Sequence, residues 1–133
     1  MAAEEKRKTI LLVDDDEIHL SIAEAMLKDE YDILIAKSGK EALQCFLQGR
    51  FPNLVLLDIL MPDMDGWETY KRLKAISFLQ NIPIAFLTSA NGKTEKDHAL
   101  EIGAEDFITK PFEKEELLNR IKVILEKPSA STL

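Results

Sequence analysis

The stretch Asn53–Gly66, reading NLVLLDILMPDMDG, constrains this chain more than any other. Leu54–Leu57 is an unbroken apolar run, the pattern of a strand buried on both faces. It ends abruptly on a carboxylate, Asp58, and after Pro62 comes a turn signal, Asp65-Gly66. A lone acid at the carboxyl end of a buried strand does little for packing. In open parallel α/β sheets that end of the strand is where ligands bind. The plain alternative is that Asp58 caps a turn.

The same alternation recurs along the chain. Thr9–Val13 is an apolar strand that ends in Asp14, Asp15 and Asp16. Ile18, Ile22, Ala25 and Met26 recur at helical spacing, which predicts a first helix over Glu17–Lys28 with Asp16 as its cap. Tyr31–Ala36 reads as a second strand. Ser38 and Glu41 form a capping-box pattern for a second helix that turns Ala42, Leu43, Phe46 and Leu47 inward. A third helix follows Gly66, with Trp67, Tyr70, Leu73 and Ile76 on one side. Ile84–Leu87 is a fourth strand, ending on Thr88 and Ser89. A polar fourth helix over Thr94–Ile102 is closed by Gly103, the favoured residue just past a helix end. Asp106–Thr109 is a fifth strand, ending in Lys110-Pro111. A last helix over Glu113–Glu126 carries Leu117, Leu118, Ile121, Ile124 and Leu125 on one face. Strands alternating with helices imply right-handed crossovers and a parallel sheet with helices on both faces.

In such a sheet all the strand ends open on one edge. Asp14, Asp15, Asp58, Thr88 and Lys110 then converge on a single cleft. Clustered carboxylates repel one another, and a hard divalent cation relieves that repulsion. Mg²⁺ takes one or two carboxylates together with waters and phosphate oxygens. Lys110 and the Thr88 hydroxyl can hold the remaining oxygens of a phosphoryl group. Asp58 is left as a nucleophile that forms an aspartyl phosphate. Metal and lysine would offset charge on the transferring group, the main need in phosphoryl transfer.

These motifs resemble the receiver domain of two-component response regulators. The resemblance covers roughly Lys8–Glu126. It rests on LLVDDD at Leu11–Asp16, LLDILMPDMDG at Leu56–Gly66, LTSA at Leu87–Ala90 and the triplet Lys110-Pro111-Phe112, in that order. It implies a flavodoxin-like, doubly wound (βα)5 fold with strand order 2-1-3-4-5, flanked by tails at residues 1–7 and 128–133. It implies that Asp58 is the phosphoacceptor. Asp15, Asp58 and the backbone carbonyl of Leu60 would bind Mg²⁺ directly, and Asp14 would act through a metal-bound water. Thr88 is then the switch hydroxyl, Lys110 the lysine that pairs with the phosphoryl group, and Lys110-Pro111 a cis peptide. Phe107 matches an aromatic rotamer switch that rotates into space Thr88 vacates. That position is often tyrosine in the family, and here it lacks the hydroxyl.

The implied partners are a histidine kinase or phosphotransfer protein and a downstream protein target. A phosphorylation-linked homodimer through the fourth and fifth helices is left open. Ala90 should leave the site open to small phosphodonors, and Leu60 offers no polar group to orient an attacking water, so dephosphorylation should not be fast. A net charge of −7 over 133 residues argues against a nucleic-acid or membrane-surface role. No apolar run approaches the roughly 20 residues of a membrane span. A single cysteine, Cys45, excludes an intrachain disulfide and suits a reducing cytoplasm.

The remaining residues have plainer readings. His19 and His98 are expected on solvent-facing helix positions. Cys45, Trp67 and Tyr70 are expected to pack, and Asp63 and Asp65 to shape a loop. Two other function classes remain. An aspartate-nucleophile phosphohydrolase would place a second acid two residues after the nucleophile, where this chain has Leu60. A receiver-like scaffold that is never phosphorylated would usually lack one of the acids, the threonine or the lysine. The short tail after Glu126 suits a stand-alone regulator, the alternative being a piece of a larger one.

Overall fold

A computed structural model of the chain describes residues 7–76 and 81–127. The elements alternate strictly: β1 (Thr9–Val13), α1 (Glu17–Leu27), β2 (Asp32–Ala36), α2 (Gly39–Leu47), β3 (Leu54–Leu57), α3 (Gly66–Ile76), β4 (Ile84–Thr88), α4 (Lys93–Glu101), β5 (Phe107–Thr109) and α5 (Lys114–Glu126). All strands are parallel, in the order β2-β1-β3-β4-β5. This is the flavodoxin-like order expected from the sequence.

Side chains alternate across each strand, so every central strand feeds two cores. Leu11, Val13, Val55, Leu57, Ile84 and Phe86 meet residues of α2, α3 and α4 on one face. Ile10, Leu12, Leu54, Leu56, Ala85 and Leu87 meet α1 and α5 on the other. That double burial explains why β1, β3 and β4 read as continuous apolar runs. No helix among the described residues is long and apolar enough to cross a membrane.

Several local expectations hold. The Asp16 carboxylate accepts from the backbone N–H groups of Ile18 and His19 at 2.9 and 3.1 Å and so caps α1. Ser38 accepts from the Glu41 N–H at 3.0 Å and caps α2. Gly103 follows α4 with φ +103°, a conformation that costs glycine little. Asp65 accepts from the Glu68 N–H at 3.0 Å at the start of α3. The Lys110-Pro111 peptide is cis.

Other expectations are corrected. The face of α1 was misphased: Leu20, Ala23 and Leu27 are buried, while Ile18 and Ile22 are exposed. Both sets recur at helical spacing, and the sequence alone does not say which the sheet covers. In α2 Ala42, Cys45 and Phe46 are buried and Leu43 packs half-buried against the same core, but Leu47 is 73% exposed. Glu41 reaches back to the Lys37 N–H at 2.9 Å and not to that of Ser38, so the capping box is displaced by one residue. Ile76, at the end of α3, is exposed. The expected tails lie outside the described residues except for Arg7, whose guanidinium donates to the carbonyls of Lys28 and Tyr31.

Candidate functional site

The carboxyl edge of the sheet is assembled by strand register. Val13 lies opposite Leu57 in the β1–β3 pair, so the next residues, Asp14 and Asp58, emerge side by side. The ladder continues one step past the strands. The Asp58 N–H donates to Val13 O at 2.9 Å, and the Asp14 N–H donates to Ala36 O at 3.1 Å. Thr88 closes β4, and the Lys110 N–H donates to its carbonyl at 2.9 Å. Backbone pairing that serves the sheet therefore fixes where four polar side chains begin.

Those side chains meet away from bulk water. Asp14, Asp58 and Thr88 are 6%, 5% and 0% exposed, and Asp15 stands in the open at the mouth. Carboxylate oxygens of Asp14, Asp15 and Asp58 all lie within 4.8 Å of one another. The Lys110 ammonium donates to Asp14 Oδ2 and stands 3.7 Å from Asp58 Oδ2. When ionised, three carboxylates against one ammonium leave two surplus negative charges. The donors are all oxygens, the set a hard divalent cation takes. The residues present fit Mg²⁺.

The surroundings of Asp58 perturb its titration. Burial raises its pKa, and the nearby Asp14 carboxylate pushes the same way. A hydrogen bond from Thr88, the Lys110 charge and the Leu60 N–H oppose the rise without cancelling it. The Leu60 N–H lies 3.3 Å from Asp58 Oδ1, while the Leu60 side chain is 58% exposed. Thr88 Oγ1 also accepts from the Ala90 N–H at 3.2 Å. Its hydroxyl thus points at Asp58 already.

A family model, the response regulator receiver domain, matches residues 10–122. This chain belongs to that family. Receiver domains are signalling modules of two-component systems. They bind Mg²⁺ at an acidic aspartate pocket and interact with histidine kinases and downstream targets. The receiver chain is 40% identical over 121 residues to the phosphate regulon transcriptional regulatory protein PhoB of Pseudomonas aeruginosa, covering 90% of this chain and 52% of that protein. It is 37% identical over 126 residues to histidine kinase P4 of Formosa agariphila, covering 95% of this chain and 9% of the kinase. It thus spans about half the length of the regulator and a small part of the kinase. Among solved structures it resembles chemotaxis protein CheY4 of Vibrio cholerae, with a TM-score of 0.81 and 29% identity, covering 90% of this chain and 99% of that one.

The receiver's edge brings together Asp14, Asp15, Asp58, Thr88 and Lys110, the residues singled out from the sequence. Phe107 stands apart from them. Its ring is 4% exposed and packs on Phe86 at a centroid distance of 6.3 Å. Trp67 and Tyr70 also pack on Phe86, at 4.9 and 5.7 Å. His98 is exposed but sets its ring 4.6 Å from that of Trp67.

His19 is the residue that sequence reading missed. Its Nδ1 lies 3.0 Å from Lys110 Nζ, so it belongs to the site and not to a solvent-facing row. Its partner is 91 residues away in the chain, beyond the reach of a helical-spacing argument. A signal was present in the cap: residue i+3 from Asp16 lies on the same side of the helix as Asp16 itself. Asp14, His19 and Lys110 also form the polar end of a cavity of about 340 Å³ lined by Leu12, Leu56 and Phe112.

Proposed function

We propose that this receiver is phosphorylated on Asp58 with Mg²⁺ and uses the added charge to change a protein-interaction surface. The observation that carries the reading is one buried carboxylate beside two others and within 3.7 Å of an ammonium, at a parallel sheet's carboxyl edge. The donor is a histidine kinase or a phosphotransfer protein. One Asp58 oxygen attacks phosphorus as the P–N bond of the donor's phosphohistidine breaks, and the imidazole leaves with the bonding pair. Burial makes Asp58 more basic than an ordinary aspartate, which favours it as nucleophile. Lys110 meets negative charge on the transferred oxygens, and Thr88 donates its hydroxyl to one of them.

Asp15, Asp58 and the Leu60 carbonyl would hold Mg²⁺, with Asp14 acting through a bound water. The ion supplies charge neutralisation for the incoming phosphoryl oxygens. Phosphorylation would bias Phe107 between two packings as Thr88 turns to the phosphoryl group, with the ring moving into the space Thr88 vacates. The shift cannot exceed the difference in interaction energy that the phosphoryl group has with the two states. The output partner is a downstream protein or a second copy of the chain that reads α4, β5 and α5. A cytoplasmic location suits the free, buried thiol of Cys45.

The test is intact mass after incubation with acetyl phosphate and Mg²⁺, beside an Asp58→Asn variant. A gain of one phosphoryl group in wild type alone, abolished by chelator, is expected. An equal gain in the variant moves the acceptor elsewhere. No gain in a wild type that binds Mg²⁺ favours the unphosphorylated scaffold.

A further inference from the structure

His19 sits in the first turn of α1, and its Nδ1 lies 3.0 Å from Lys110 Nζ. An ammonium only donates hydrogen bonds. A hydrogen bond between them therefore requires Nδ1 to accept with its lone pair, with the ring hydrogen on Nε2. The carboxylates of Asp14 and Asp16 stand 3.7 and 3.9 Å from the same nitrogen, too far to take a hydrogen bond from it. Asp14 Oδ2 and His19 Nδ1 are thus two acceptors on the ammonium within hydrogen-bond reach.

The ammonium carries three N–H donors on a flexible four-carbon stem. One anchor, Asp14, would leave it free to turn about that contact. A second anchor at a fixed place on a helix removes the freedom. The remaining N–H then has Asp58 Oδ2 as its neighbour, at 3.7 Å. That gap is too long for a direct hydrogen bond. It leaves the donor available to an oxygen of a group carried by Asp58.

We infer that His19 is a positioning residue: with Asp14 it fixes the Lys110 ammonium so that its third N–H is presented to the phosphoryl oxygens on Asp58. The inference rests on the reading of Asp58 as phosphoacceptor. It acts through neutral imidazole as an acceptor, so a side chain of similar reach with an acceptor at the same place should substitute. Asparagine offers Oδ1 near the position of Nδ1. Leucine fills similar space and accepts nothing.

The experiment has two arms. In the first, the ¹⁵N shifts of the His19 ring report its tautomer in the wild type, with His98 as internal comparison. The Nε2–H form is expected, and an Nδ1–H form overturns the contact. In the second, phosphorylation by acetyl phosphate and Mg²⁺ is timed for wild type, His19→Asn and His19→Leu, each with Lys110 and with Lys110→Ala.

His19→Leu should slow the maximal rate about tenfold, the loss of one hydrogen bond to a charged group. His19→Asn should stay within about twofold of wild type, and the Mg²⁺ dissociation constant should not move. With Lys110→Ala the two His19 variants should react equally. A His19→Leu rate equal to wild type overturns the inference alone. So does a His19→Asn rate as low as that of His19→Leu, or a difference that persists without the lysine. A wild type that takes up no phosphoryl group overturns the phosphoacceptor reading, and the inference with it.

Discussion

Gly66 opens α3 against the backbone of Asp58, the proposed phosphoacceptor, and an alanine there should damage both stability and site. A Cβ on Gly66 would fall 2.6 Å from Ile59 Cα and 2.9 Å from Asp58 C, and closer still to the Asp58 carbonyl oxygen. Every one of these is a backbone atom. No side-chain rotation relieves the clash, so β3's exit or the start of α3 must shift. The hydrogen bond from the Gly66 N–H to Ile59 O, at 2.8 Å, ties the same two segments together. Overpacking costs about 1–3 kcal/mol, and a clash with backbone alone belongs at the top of that range, about 3 kcal/mol. Unfolding entropy near 60 °C is about 2.1 cal/mol/K per residue, or about 0.28 kcal/mol/K for 133 residues. Gly66→Ala should therefore lower Tm by about 11 °C.

Gly92→Ala is the control. The new Cβ there would meet only the Glu95 carboxylate, the far end of a flexible side chain, and the Gly92 φ of −72° suits alanine. Its Tm should move by less than about 4 °C, since a glycine-to-alanine change at a compatible site is worth about 1 kcal/mol or less. Thermal unfolding followed by circular dichroism measures both. The same displacement moves Asp58, and a misplacement of about 1 Å can cost about 100-fold in rate. Gly66→Ala should then accept phosphate from acetyl phosphate at least tenfold more slowly at 20 °C, where it remains folded. If Gly66→Ala loses no more Tm than Gly92→Ala, or phosphorylates normally, the close approach of α3 to Asp58 is wrong.

Three further outcomes follow from the site. Between its ordinary value and its raised folded value, Asp58 binds more protons folded than unfolded, so stability falls as pH rises through that window. Asp58→Asn should then show no advantage at pH below 3.8 and a growing one above it, read as urea midpoints against pH in chelator; a difference constant with pH would count against the burial of the charge. Mg²⁺ at 100 times its dissociation constant should add about 2.7 kcal/mol, or about 10 °C in Tm, and Asp15→Asn should lose most of that gain in the same melts. The aspartyl phosphate should last minutes or longer, because Leu60 is exposed and apolar; Leu60→Asn should shorten that lifetime, and a wild-type lifetime of seconds would refute the reasoning.

The strand ends were legible because burial on two faces writes itself as an unbroken apolar run, and a carboxylate after such a run has no packing role. That argument located Asp14, Asp58 and Thr88 within a residue of the observed ends of β1, β3 and β4. Helix faces were less legible. In α1 the apolar residues Ile18, Leu20, Ile22, Ala23, Met26 and Leu27 cover more than one stripe, and only contact with the sheet selects Leu20, Ala23 and Leu27. His19 flanks either stripe, and its contact with Lys110, a pair separated by 91 residues, is not written in the local periodicity. Leu47 failed in a similar way: it lies in the last turn of α2 beside the buried Phe46, but on the side that faces water.

The proposed coupling between site and surface has a short physical path. Thr88 and Phe86 sit two apart on β4, so their side chains share one face of the sheet. Phe86 is fully buried and touches Trp67 of α3 and Phe107 of β5, and Trp67 in turn meets His98 of α4. Under the proposed function, a shift of the Thr88 side chain would change the volume available beside one hub ring, which touches α3 and β5 directly and reaches α4 through Trp67. Because Phe107 has no hydroxyl, nothing at its tip can report through a hydrogen bond, and the response has to be carried by packing. Close-packed interiors move between discrete arrangements and do not deform continuously. Phe107 is buried against Phe86, so under the proposed function the response to phosphorylation is a repacking around that ring, limited by what Thr88 and Lys110 gain from the phosphoryl group.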